Sequence, residues 1–134
     1  DIRRLGIKNA KFIERTTSEV RISQFYNTID VQAHARRDGE CNSAAHFEGF
    51  AHRVPLISHY GENFNGHMET TGDAGFIVLP NDVEEYARIM KAFIDKQIDY
   101  ETLSNNAYLQ WCKVTPELMG NAQLDIYKEL LKTT

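Results

Sequence analysis

The chain has 134 residues, of which 42% are hydrophobic and 25% charged, and its net charge is -4. That is the composition of an ordinary globular domain, long enough to bury roughly two-thirds of its unfolded surface. It argues against nucleic acid as a partner, and the lack of any apolar run of about 18 residues argues against a transmembrane helix. The opening Asp1-Ile2-Arg3-Arg4 lacks the apolar stretch of a signal peptide. Without an initiator Met, the sequence is expected to start inside a longer chain. Charge is uneven: residues 1–37 carry eight Lys/Arg against four Asp/Glu, and residues 38–134 carry seven against fifteen. A basic start is compatible with an anionic ligand, and equally with scattered solvated charge. Cys41 and Cys112 have no metal or redox spacing and read as free thiols of a cytoplasmic protein.

Taken in order, residues 1–7 read as the tail of a helix and 11–14 as a short strand. Ser18-Glu19 opens a helix with Val20, Ile22, Phe25 and Tyr26 on one face. A strand is expected at 29–34, with Asp30 in a structural role near its start. Asn42 or Ser43 caps a helix that runs to about His52. The apolar run 54–58 reads as a buried parallel strand. Residues 59–74 are irregular and rich in Gly, Asn and His, and 75–79 is the next strand. Asn81 or Asp82 caps a helix whose stripe of Val83, Tyr86, Ile89, Met90 and Phe93 is core. Two helices follow, about 99–113 and 116–132, the second opened by Pro116. Strands alternating with helices predict an α/β fold with a parallel sheet, as a single domain over 1–134.

The stretch from Arg36 to Glu48 carries the chemistry. Glu40 falls on the loop before the helix, and Glu48 one to two turns inside it. Helical side chains lean toward the N-terminus, so Glu48 points back toward Glu40 and the free N–H groups of the first turn. Those amides, at Asn42, Ser43 and Ala44, suit a phosphate. A carboxylate repels phosphate but accepts from hydroxyls, so each glutamate suits a diol. A diphosphate flanked by polyhydroxylated groups, as in a nucleotide sugar, fits both. Against this, the helix start could be an ordinary capped one, and Glu48 a buried carboxylate paired with Arg36 or Arg53. Arg36 and Arg37 could reach phosphate or simply be solvated. His34 could shape the pocket or pack structurally. Glu69 reads as a helix-capping residue. The five histidines make no convincing metal set, and no cofactor is implied.

Glu40 and Glu48 in this setting resemble the E-x7-E motif of retaining glycosyltransferases of the GT-B architecture. Ser23 to Val31 resembles that family's helix and short "aDv" strand. Residues 48–58 are similar to "EAmA-x-G-x-PvIs", residues 75–83 to "tGflv-pgDv", and the closing helix with Ile126-Tyr127 and Leu130-Leu131 to the family's last helix. The resemblance implies a Rossmann-like partial domain that holds the nucleotide-diphosphate sugar, with Glu48 on the ribose, Glu40 on the transferred sugar, the amides at 42–44 on the diphosphate, and Arg36 and His34 nearby. It implies a sugar or glycan acceptor held by an N-terminal domain that this chain lacks, so that the fragment alone transfers nothing. Two departures stand out. Cys41-Asn42-Ser43 replaces the family's Gly-aromatic-Gly run, and Arg53 replaces the usual Gly before the Val-Pro strand. The family strand order, 3-2-1-4-5-6, leads us to expect a three-stranded parallel sheet from 30–34, 54–58 and 75–79, with 11–14 standing apart. The alternatives are a non-catalytic nucleotide-sugar-binding module and a plain Rossmann or receiver-like signalling domain.

Overall fold

The computed structural model describes residues 2, 4–35, 43–61, 63 and 66–132. Its elements are α1 (Glu19–Tyr26), β1 (Gln32–Ala33), α2 (Ala44–Ala51), β2 (Leu56–His59), α3 (Gly66–Thr71), a 3-10 turn (Gly72–Ala74), β3 (Gly75–Val78), α4 (Val83–Ile94), α5 (Tyr100–Cys112) and α6 (Pro116–Lys132). The strands form one parallel sheet in the order β1-β2-β3, with Gln32 opposite Leu56 and Leu56 opposite Gly75. This is the expected three-stranded parallel sheet, flanked by helices.

Two expectations at the start of the chain fail. The described residues of 1–7 form a turn, closed by the Ile7 N–H on the Ile2 carbonyl at 3.1 Å and passing through Gly6 at φ 67°. Residues 11–14 stand apart from the sheet as foreseen, but they are not a strand: Phe12 is 83% exposed. Extended backbone becomes a strand only when a neighbour takes its hydrogen bonds, and among the described residues this segment has none. β1 is short for the same reason. Gln32 and His34 donate inward, to the carbonyls of Pro55 and Ile57, while its outer edge has no described partner.

Side chains alternate across the sheet. One face carries Gln32, Leu56, Ser58 and Gly75, under α2 and α5. Its core is Phe50, Leu56, Ala74 and Ala107, with Phe47 and Trp111 packed against it. Gly75 lies so close to β2 that an added Cβ would meet the Leu56 carbonyl oxygen at 1.9 Å. The other face carries Ile57, Phe76 and Val78 under α4, whose Ile89 is buried among them. The α4 stripe is core only in part, because Val83 is 69% exposed. Asp82 is the cap of α4 and accepts from the Glu85 N–H at 3.0 Å. Pro116 begins α6, and Cys112 is an exposed free thiol. Glu69 does not cap α3; it lies inside that helix, exposed. No described helix is long and apolar enough to cross a membrane.

Candidate functional site

The helix that begins beyond β1 is α2, and its N-cap is Ser43, in extended conformation at φ -106° and ψ 121°. The Ser43 carbonyl accepts from the His46 N–H at 3.0 Å and the Phe47 N–H at 3.3 Å. Its hydroxyl makes no capping bond. The N–H groups of Ser43, Ala44 and Ala45 have no acceptor among the described residues. Donors at a helix start, at the carboxyl end of a parallel strand, form a positive edge that suits an anion. Arg36, Arg37, Glu40, Cys41 and Asn42, named from the sequence as parts of this site, lie outside the described residues.

Glu48 is exposed, not buried. The pairing with Arg53 weighed from the sequence does not occur. Glu48 instead accepts from the Tyr26 hydroxyl, Oη to Oε2, at 3.3 Å. The same hydroxyl lies 2.9 Å from the Ala45 carbonyl, one turn earlier on α2. Glu48 thus leans back toward the first turn, as helical side chains do. Burial, then the neighbouring Glu48 carboxylate, push the Tyr26 phenol from its ordinary 10.0 up to about 12, so it is a neutral donor at physiological pH. The sequence reading placed Tyr26 in an apolar stripe and missed this contact. The signal was available: a buried tyrosine needs a partner for its hydroxyl.

Arg53 is committed elsewhere. It occupies the left-handed position just after α2, at φ 62°, where the Arg53 N–H bonds the Phe50 carbonyl and the Val54 N–H bonds the Gly49 carbonyl. That paired closure favours glycine, which explains why the resembling family places glycine there. Here the arginine is held by α5. Its Nη1 donates to Asn105 Oδ1 at 2.6 Å, its guanidinium lies 4.4 Å from the Tyr108 ring centroid, and its carbonyl accepts from Ser104 Oγ at 2.9 Å. The far end of α2 is thereby pinned. Gln32 lies against the helix from the sheet: its Nε2 is 3.4 Å from the His46 carbonyl in α2 and 3.2 Å from the Val54 carbonyl just past the helix, and a Cβ on Gly49 would meet that nitrogen at 2.0 Å.

His34 packs edge-on against the buried ring of His46, with centroids 4.5 Å apart. The structure thus gives it the packing contact that was weighed as one of its two roles. Two clefts, each about 460 Å³, flank these residues. One lies between α1 and α2 and is lined by Ile22, Ala44, Phe47, Glu48, His52 and Trp111. The other lies at the carboxyl ends of the strands, is mostly apolar, and is lined by Ala35, His59, Leu79, Pro80, Tyr86 and Met90. In the second, the Tyr86 hydroxyl donates to the Ile57 carbonyl at 3.1 Å, and burial pushes its phenol up to about 12.

A parallel α/β sheet with an open helix N-terminus at its carboxyl edge is a ligand-binding architecture. The chain belongs to the family described as glycosyl transferases group 1, whose pattern matches residues 2–110. It is therefore a domain of the C-terminal type of the GT-B architecture, in a family whose members transfer sugars. No curated protein matches the sequence significantly.

Proposed function

We propose that this chain is the donor-binding part of a retaining glycosyltransferase, which moves a sugar from a nucleotide-diphosphate sugar to an acceptor held by a second domain. The observation that carries this reading is the conjunction on α2 of open amides at Ser43, Ala44 and Ala45 with a carboxylate, Glu48, leaning toward the same turn. Amides and helix dipole suit the diphosphate; as it departs with its added charge, preorganised donors stabilise it without reorganising. Glu48 accepts from the ribose hydroxyls. Glu40 holds hydroxyls of the transferred sugar and acts at the reacting centre, with Arg36, His34 and Asn42 completing the pocket.

Calorimetry with UDP- and GDP-sugars tests this. Glu48→Gln removes a charge-assisted acceptor while keeping its shape, and binding should weaken by about 1.5–3 kcal/mol. Unchanged affinity in that variant sinks the ribose assignment.

A further inference from the structure

We propose that Tyr26 is the positioning residue for Glu48: it ties one carboxylate oxygen to the first turn of α2 and leaves the other directed at the ligand. The inference rests on the reading that Glu48 meets ligand hydroxyls.

Tyr26 is the buried residue of α1, at 7% exposure, while Val20 and Phe25 of the same helix stay exposed. α1 therefore docks on α2 chiefly through this one side chain. The ring has two aromatic neighbours, His52 stacked at 5.7 Å and 12° and Phe25 edge-on at 5.2 Å. His52 is in turn held by Asn27, with Nδ1 to Oδ1 at 3.2 Å. A ring so fixed gives its hydroxyl one position. From there a single proton is shared between the Ala45 carbonyl at 2.9 Å and Glu48 Oε2 at 3.3 Å.

The Ala45 carbonyl alone would satisfy a buried tyrosine hydroxyl; the contact with Glu48 is a second one, beyond what burial of the ring requires. Glu48 is exposed, and an exposed glutamate otherwise samples many rotamers. Its Oε1 has no hydrogen-bond partner among the described residues. One oxygen tethered and one open is the state in which a carboxylate meets a ligand hydroxyl with little left to order, which is how preorganisation raises affinity.

Tyr26→Phe keeps the ring and removes the tether. Two measurements on the 134-residue chain decide the matter. NMR relaxation of the Glu48 side chain reads the tether without any ligand: its order parameter should fall toward the flexible range, below about 0.6, in Tyr26→Phe. Calorimetry then compares UDP and GDP with their 2′,3′-dideoxy forms. Tyr26→Phe should weaken binding of the ribose forms roughly three- to tenfold and leave the dideoxy forms unchanged, and the loss should vanish in a Glu48→Gln background. A purely structural tyrosine would weaken both ligand sets alike. That result, or a Glu48 side chain equally ordered in both proteins, overturns the proposal. Should wild type and Glu48→Gln bind the ribose forms equally, or not at all, the donor reading fails instead, and the relaxation data alone then decide the role of Tyr26.

Discussion

The two faces of the sheet differ in how completely they are closed. On the face under α2 and α5, Phe50, Leu56, Ala74 and Ala107 are all fully buried. On the face under α4, Ile57, Val78 and Ile89 are buried, but Val83, Met90 and Ile94 on the rim of α4 are exposed, Ile94 to 78%. Both faces use the same three short strands, so the difference comes from the helices. α2 is held from the sheet by Gln32 at His46, at its end by Arg53 on α5, and at its start by Tyr26 from α1. α4 has its cap, one row of core contacts and one side-chain tie to the sheet, from the Tyr86 hydroxyl to the Ile57 carbonyl. The helix that carries Glu48 and the open amides is thus the more constrained of the two, which suits a site needing its groups within a fraction of an ångström.

The largest expected effect tests that difference directly. Phe50→Ala on the closed face should destabilise by about 3–5 kcal/mol, and Ile89→Ala on the open face by about 2–3 kcal/mol, since α4 can shift inward to shrink the cavity. Urea unfolding of both variants measures the pair. Equal losses would mean that the open face is as tightly packed as the closed one.

Next comes the pin at the end of α2. Arg53→Ala keeps the left-handed backbone but loses a hydrogen bond and the contact with Tyr108, and should cost about 1–2 kcal/mol. Arg53→Gly loses the same contacts but relieves a left-handed strain of about 1–2 kcal/mol. It should therefore be the more stable of the two in thermal unfolding. The reverse order would mean that the backbone at residue 53 carries no strain.

The smallest effect is in alkali, and each face contributes one group. Tyr26 and Tyr86 both have phenols raised from 10.0 to about 12 in the folded chain. A raised folded value means that the folded state holds its proton longer than the unfolded chain. The associated stability is complete below pH 10 and is lost as pH rises through 12. Urea midpoints should fall across that window, and Tyr26→Phe and Tyr86→Phe should each flatten part of the fall. A profile unchanged in both would remove the tyrosines as its cause.

Much of the architecture was legible in the residues. Hydrophobic period and cap chemistry are local, so the helices from Ser18, Ser43, Asp82 and Pro116 and the strands near 56–59 and 75–78 lie close to where pattern put them. The apolar run at 54–58 pointed to a strand buried on both sides, and such runs are hard to read otherwise. Residues 11–14 had the apolar pattern of a strand but no neighbour to pair with, and pairing is a tertiary matter. The charge of Glu48 was visible, but its exposure and its tether were not, because Tyr26 lies 22 residues away and only the docking of α1 on α2 brings its hydroxyl within 3.3 Å. Arg53 could be seen as a departure from glycine. That α5 holds it there, through Asn105 and Tyr108 some fifty residues on, was decided by packing, since long-range contacts depend on how the helices meet and not on any local preference.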